Sequence, residues 1–418
     1  MTERNNKNEN YDVIIIGAGA AGLMAAGAAL ERGMSVLMFD KNEKLGRKLR
    51  ITGKGRCNVT NNCTKETVIA STVSNPRFLY SALNFFSPED TMNFFENLGV
   101  PLKTERGNRV FPVSDKADDI AEALVNYCSG AKMIRNTVKE VFAENGEIKG
   151  VKTENKTYYG KNVLIATGGA SYKATGSTGD GYKFAESLGH EVTKLSPSLV
   201  ALSCSDKDIP LAQGLSLRNI GFKITDKVKN KVIYEDFGEL LFTHFGISGP
   251  VVLSGSAHLK DMEKNRFTAS IDLKPALDKE KLDQRLLRDL NENKNRDLVN
   301  SLQALLPQKL IEVVIERSGI DGRTKCNSIT KKQREALLSV LKNFTAEIVD
   351  FRSLNEAIVT RGGVAVKEIN PKTMESKLIK GLFFAGEVID VDAYTGGFNL
   401  QIAFSTAKLA AENFYYGE

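Results

Sequence analysis

Apolar and polar positions divide the chain into three kinds of text. Val13 to Ile16 are four consecutive β-branched residues, a run that reads as a strand buried on both faces. Gly17-Ala-Gly19-Ala-Ala-Gly22 follows at once. An alanine-rich, proline-free run then continues to about Arg32, and Gly33 closes it. Ser35 to Phe39 form a second apolar run that ends on Asp40. This is the strand–turn–helix–strand pattern of a dinucleotide-binding unit. Gly17 allows the tight turn, Gly19 admits a pyrophosphate, and Gly22 lets helix and strand pack closely. The helix start offers N–H groups and positive dipole to phosphates. Asp40 is placed to accept hydrogen bonds from ribose hydroxyls. An acid there disfavours a 2′-phosphate, so the expected ligand is FAD or NAD rather than NADP.

Further along, Ser87-Pro88-Glu89-Asp90 predicts a helix start that runs to Gly99. Arg106 to Pro112 reads as a turn and short strand, and Asp115 to Tyr127 as an amphipathic helix. Met133 to Phe142 and Gly150 to Tyr159 alternate as strands about an Asn145-Gly146 hairpin turn. Lys161 to Ala166 predicts another buried strand. It ends in Thr167-Gly168-Gly169, returns the chain to the cofactor's sheet and makes Thr167 and Gly168 cofactor-binding candidates. Tyr182 to Leu188 reads as a helix.

From Pro197 the pattern shortens to alternating runs up to residue 272, which predicts an antiparallel sheet or small barrel. Ala276 to Phe344 has helical period, with a capping box at Thr330 and Gln333. From Ala357 the text is again Gly-rich and β-branched. A strand over Lys380 to Glu387 precedes a second glycine turn, Thr395-Gly396-Gly397, and a closing helix to Tyr415. The expected fold is therefore α/β, a split Rossmann-type domain of residues 1–195 and 357–418. The insertion, 196–356, has a β-barrel-like part (196–275) and a helical part (276–345).

Composition changes little in this picture. A hydrophobic fraction of 42% and a charged fraction of 26% describe an ordinary globular chain. No apolar run approaches the roughly 20 residues that span a bilayer. The polar start, MTERNNKNEN, reads as a mobile tail rather than a signal or transit peptide. The five cysteines are scattered without a CxxC pair, which points to reduced thiols in a cytoplasmic protein. Together with only three histidines, that pattern argues against a metal site. The formal charge of +6 permits an anionic partner such as nucleic acid without requiring one. Seven of the cations, Lys41, Lys44, Arg47, Lys48, Arg50, Lys54 and Arg56, crowd the stretch after Asp40, where Gly46, Gly53 and Gly55 predict a loop of little regular structure.

Those segments carry a resemblance. IIGAGAAG, KLGRKLRITGKGRCNVTN, ATGGASYKATGSTGDGY, ELLFTHFGISGP, TRGGVAV and FFAGEVIDVDAYTGGFNLQIAFS are similar to the BaiN/YhiN-like flavoproteins over nearly the whole chain. That family includes aminoacetone oxidase-type enzymes and proteins proposed to make dihydrouridine in ribosomal RNA. TGDGY also resembles fumarate-reductase-type flavoproteins, though only locally. The resemblance implies FAD. It assigns pyrophosphate to Gly17, Gly19, Ala20, Ala21 and Gly22, and the adenosine ribose to Asp40 and Lys41. Arg47, Lys48, Cys57, Asn58 and Val138 match loop and adenine-side positions. Gly386, Glu387, Asn399, Gln401, Ile402 and Ala403 match the ring-side return. Asp40 stands where the family more usually has a glutamate, a shortening that keeps the role.

Three functions are then open. The first two share one scheme, an FAD enzyme using NAD(P)H as a transient donor, since no second GxGxxG unit occurs after residue 41. Its substrate is either a small molecule, such as an amine or a steroid enone, or, by resemblance, a uridine of 23S ribosomal RNA. The third is a non-catalytic FAD-binding redox sensor. Reduction of a conjugated C=C needs an acid, for which Cys57 is a candidate against the alternative of a packing residue. His244 is a candidate to polarise a carbonyl, against a structural histidine.

Overall fold

The computed structural model describes residues 10–417, so the tail expected to be mobile lies outside the described residues except for Asn10. The chain forms two compact units. One comprises the described residues up to Ser198 and those from Ala357, and the other is Leu199–Glu356.

The first unit is built on a seven-stranded sheet. Its centre is β1 (Asn10–Ile16), followed by the helix α1 (Ala20–Glu31) and β2 (Val36–Asp40). β1 lies parallel to β2 on one side and to the strand Thr157–Ile165 on the other, with Ile15 opposite both Met38 and Leu164. Covered on both faces, Val13, Ile14 and Ile15 are fully buried, which is why the β-branched run needs no polar alternation. The strand Leu382–Phe384 returns parallel to Thr157–Ile165, and Lys132–Arg135 extends the sheet beyond β2. The C-terminal helix, Phe398–Glu412, packs against α1.

Tertiary pairing changed several sequence-level boundaries. Met133 to Phe142 is two strands. Lys132–Arg135 runs parallel to β2, and Glu140–Glu144 forms the hairpin with Glu147–Lys152. The expected Asn145-Gly146 turn is present, with φ of 54° and 77°. Thr157–Ile165 is one strand through Gly160, because its first half pairs with the hairpin and its second with Leu382–Phe384. Ser87 caps the helix Pro88–Asn97 in a capping box with Asp90.

The second unit is a closed six-stranded barrel. Its order is Leu202–Cys204, Gly246–Ser248, Lys231–Phe242, Ser216–Asp226, Phe267–Asp272 and Phe344–Phe351. Inward-facing Phe222, Ile224, Ala269, Ile271, Ala346 and Ile348 are fully buried and fill it. The helices Lys279–Glu292, Gln308–Arg317 and Lys331–Lys342 fall between its fifth and sixth strands. The helical stretch is thus inserted into the barrel rather than appended at residue 276, because closure requires Phe344–Phe351. Among the described residues no helix is long and apolar enough to cross a membrane.

Candidate functional site

The site grows from the end of β1. Gly17 has φ of 102°, and a Cβ there would lie 2.6 Å from the Ala166 carbonyl oxygen. A Cβ at Gly22 would stand only 1.8 Å from the Gly17 oxygen, so that glycine is dictated by helix–strand contact. Gly19 differs. Its φ is −87°, and a Cβ would meet no protein atom within 4 Å. Neither backbone conformation nor protein packing asks for glycine at 19, so the close approach of a ligand is the physical reason left. Gly19 is also the N-cap of α1, and neither a side-chain cap nor an acid occupies that first turn. The N–H groups of Ala20, Ala21 and Gly22 therefore keep their affinity for phosphate.

Asp40, expected to face a ribose, is also bound within the protein. Its Oδ2 accepts from Ala18 N at 2.8 Å and its Oδ1 from Asn42 N at 2.7 Å, so the carboxylate also fixes the glycine turn. Lys41 points elsewhere in this structure, donating to Thr178 Oγ1 and, over 2.8 Å, to Asp180 Oδ2. Val138 is buried, 5% exposed, and its backbone N–H and C=O find no protein partner among the described residues, which suits an adenine edge.

The basic stretch is not the open loop expected from its glycines. Arg47–Ile51 is a short helix, begun by Gly46 at φ 66°. Most of its cations are consumed within the protein: Lys44 and Arg50 by Asp118, Arg50 also by Glu122, and Arg56 by Glu105 and Asp115. Arg47 and Lys54 are exposed and have no side-chain partner among the described residues. Lys48 donates to Glu387 Oε2 at 2.6 Å and to Ser171 Oγ at 2.8 Å. Glu387 Oε1 in turn accepts from Thr360 N at 2.8 Å and Ser171 Oγ at 3.1 Å. One carboxylate thus gathers three segments far apart in sequence.

Cys57 is fully buried at φ 58°, and burial pushes its thiol far up, so it stays protonated. The next residue, Asn58, has its Oδ1 buried without a partner among the described residues, and Thr167 Oγ1 is in the same position. Gly168 has φ of 70°. Gly386, at φ 76°, brings the turn Gly386–Val388 against α1 and the C-terminal helix: a Cβ there would lie 3.1 Å from Ala21 Cβ and 3.7 Å from Ala403 Cβ.

The second glycine turn is tied down by main chain. Gly397, at φ 97°, has the Thr60 carbonyl oxygen 2.3 Å from where its Cβ would be, and Asn61 Nδ2 donates to Gly396 O at 3.0 Å. Gly397 is the N-cap of the C-terminal helix, again without a side-chain cap. Two residues assigned ring contacts spend their side chains on the protein. Asn399 accepts from Ala393 N at 3.0 Å and donates to Ala393 O at 2.8 Å. Gln401 is fully buried, accepting from Thr60 Oγ1 at 2.6 Å and donating to Phe86 O and Ser405 Oγ. Ile402 and Ala403 are buried in the helix. His244 belongs to the second unit, where its exposed ring stands edge-on to Phe245.

Sequence reasoning passed over Ser171, Thr360, Asp390 and Asp392. Asp392 is 1% exposed, accepts from Ser198 Oγ at 2.6 Å, and leaves Oδ1 without a partner among the described residues. Burial, with Asp392 adding to it, raises the Asp390 carboxyl above its ordinary range. Two acids inside the apolar stretch Val388 to Ala393 were the available signal.

These features fit FAD. Two uncapped helix starts, an open glycine, a ribose acid and unpartnered polar atoms at Asn58 and Thr167 lie in one Rossmann unit. Among the described residues no group of acids, cysteines and histidines could hold a metal. The fold and site define an FAD-dependent oxidoreductase of Rossmann type.

Residues 11–413 match the model of the HI0933-like protein Rossmann domain, and the chain belongs to that family. It is 34% identical over 407 residues to the ribosomal RNA dihydrouridine synthase of Haemophilus influenzae, covering 95% of this chain and 97% of the relative. It is 31% identical over 402 residues to the 3-dehydro-bile acid delta(4,6)-reductase of Clostridium scindens, covering 95% and 97%. The 3-ketosteroid-delta4-(5alpha)-dehydrogenase of Rhodococcus jostii shares the fold, with a TM-score of 0.51 at 15% identity over 98% of this chain and 97% of that one.

Proposed function

We propose that this enzyme reduces a uridine of 23S ribosomal RNA to dihydrouridine, with NAD(P)H as electron donor. The observation that carries the reading is similarity along essentially the full length of both chains to ribosomal RNA dihydrouridine synthases, at 34% identity in one bacterium and 32% in another, Escherichia coli. Bound FAD supplies two-electron hydride chemistry. Atom balance is simple: a hydride reaches uridine C6, a proton reaches C5, and NAD(P)H is oxidised to NAD(P)⁺.

The chain's own residues have two tasks in this scheme. Those around Gly19, Asp40 and the Lys48–Glu387 pair fix the cofactor. A protonated group must then serve C5, and Cys57 holds a proton but is wholly enclosed.

A second reading is favoured by the bile-acid reductase likeness. Uracil and a 3-oxo-Δ4 steroid both present a C=C conjugated to a carbonyl, so the same hydride-then-proton sequence serves a small enone. Mass mapping of dihydrouridine in ribosomal RNA from a deletion strain decides between them. Loss of one ribosomal dihydrouridine, restored by the gene, supports the RNA reading. Intact dihydrouridine in a host with no second synthase ends it.

A further inference from the structure

We propose that a basic ribbon in the helical part of the second unit, formed by residues 294–299 and 322–327, is a docking surface for RNA phosphates. This deepens the reading of ribosomal RNA as substrate and rests on it.

The ribbon is built by main-chain pairing between segments that the sequence separates by a helix. Cys326 N donates to Arg296 O at 3.0 Å and Asn327 N to Lys294 O at 3.2 Å. Leu298 N donates to Thr324 O at 3.0 Å and Val299 N to Gly322 O at 3.1 Å, while Asp297 and Lys325 form an antiparallel bridge. Leu298 and Cys326 are buried and anchor the inner side.

The outer side is cationic. Lys294, Arg296 and Arg323 are exposed and have no side-chain partner among the described residues. Lys332, at the start of the following helix, is likewise exposed without one. The ribbon's one acid, Asp297, pairs with Lys325 at 2.8 Å; of the flanking carboxylates, Asp321 accepts from Arg323 N at 2.9 Å and Glu292 is exposed, so the three remaining cations outnumber them. This contrasts with residues 41–56, where most of the positive charge is neutralised internally.

Chemistry selects the partner. Asn295, Asn300 and Asn327 add exposed amides beside the guanidinium and ammonium groups. No large apolar side chain between residues 291 and 332 is among the exposed ones. A stable protein interface has an apolar, charge-depleted centre, which this ribbon lacks, and at an anionic membrane a few cations without apolar side chains to insert give only weak binding. A flexible polyanion needs neither, and RNA supplies phosphates for the cations and base edges for the amides.

The test uses full-length holoenzyme and an unmodified in-vitro transcript of a 23S rRNA fragment. The triple variant Lys294→Ala/Arg296→Ala/Arg323→Ala is compared with wild type and with Lys229→Ala/Lys231→Ala on the barrel hairpin. FAD content and NAD(P)H oxidation with an artificial acceptor report that the fold and flavin site survive. The expected result is RNA affinity about a hundredfold weaker at roughly 0.1 M salt, and a log–log salt slope flatter by about 2, from about 0.7 per phosphate contact. The hairpin variant should bind as wild type does. Unchanged affinity and slope in the triple variant overturn the proposal, as does an equal loss in the hairpin variant or a wild type that does not bind RNA. Specific loss of binding in an enzyme that makes no dihydrouridine would keep the docking surface and reject the reaction.

Discussion

Lys48 Nζ lies 2.6 Å from Glu387 Oε2, joining the stretch after the phosphate-binding turn to the strand end that returns near the C-terminus. The pair is partly exposed, at 25% and 18% of the side chains, so solvent screening limits its worth. Glu387 nevertheless also holds Thr360 N and Ser171 Oγ. Glu387→Ala should cost about 1–2 kcal/mol of stability, and FAD affinity should fall with it. Thermal melting and FAD titration check both, and an unchanged FAD affinity would confine the pair to packing.

Two glycines of one motif should fail differently. Gly22→Ala forces a Cβ onto the Gly17 carbonyl and should destabilise the apoprotein by about 3 kcal/mol. Gly19→Ala meets no protein atom, so the apoprotein should melt as wild type while FAD affinity falls at least about tenfold, or about 1.4 kcal/mol. Equal melting losses in the two variants would refute this division.

Asp40→Ala removes the acceptor of two backbone N–H groups as well as the proposed ribose contact. A loss of about 1.5–3 kcal/mol in FAD binding is expected, with a lower apoprotein melting temperature. Asp40→Asn should retain part of the turn, because the amide oxygen can still accept one N–H.

Cys57 should prove a packing residue. Its thiol is enclosed and pushed up by burial, so native protein should resist alkylation there, and Cys57→Ala should keep turnover within a few-fold. A loss of about a hundredfold or more in the reductive step, with FAD still bound, would instead identify it as the proton donor.

His190 makes stability depend on pH. Ser376 Oγ accepts from Leu378 N and Ile379 N and reaches His190 Nε2 at 3.0 Å. With both oxygen lone pairs used, the hydroxyl hydrogen goes to Nε2, and Nδ1–H faces Glu368 Oε2 at 3.4 Å. Burial lowers the imidazole below its ordinary value near 6.5, with Glu368 opposing. The folded pKa is therefore below the unfolded one, and the unfolded chain binds more protons between the two. Stability should be full above pH 6.5 and decline as pH falls through that window. His190→Gln should flatten the decline seen by melting at successive pH values.

The dinucleotide-binding unit was legible because its signals are local. Val13 to Ile16, the glycines at 17, 19 and 22, and Asp40 lie within one strand–helix–strand, where period and turn chemistry act over a few residues. The Asn145-Gly146 hairpin, the helix start at Ser87 and the capping box at Thr330 were legible for the same reason. Tertiary structure decided what depends on partners distant in the chain. Barrel closure by Phe344–Phe351 needs Phe267–Asp272 beside it, and no period in either segment announces the other. The resemblance put Asn399 and Gln401 beside the cofactor; what only the fold decided is that the half-buried Asn399 and the buried Gln401 donate their side-chain amides to main-chain oxygens, since an amide shielded from water is satisfied by whatever lies nearest. Charge followed the same rule. Seven cations after Asp40 read as an open basic loop, but Asp118, Glu122, Glu105 and Asp115 fold against three of them, and Asp180 and Glu387 against Lys41 and Lys48. In the ribbon at 294–299 and 322–327 the one acid, Asp297, is bound to Lys325, which leaves Lys294, Arg296 and Arg323 without an ion-pair partner among the described residues.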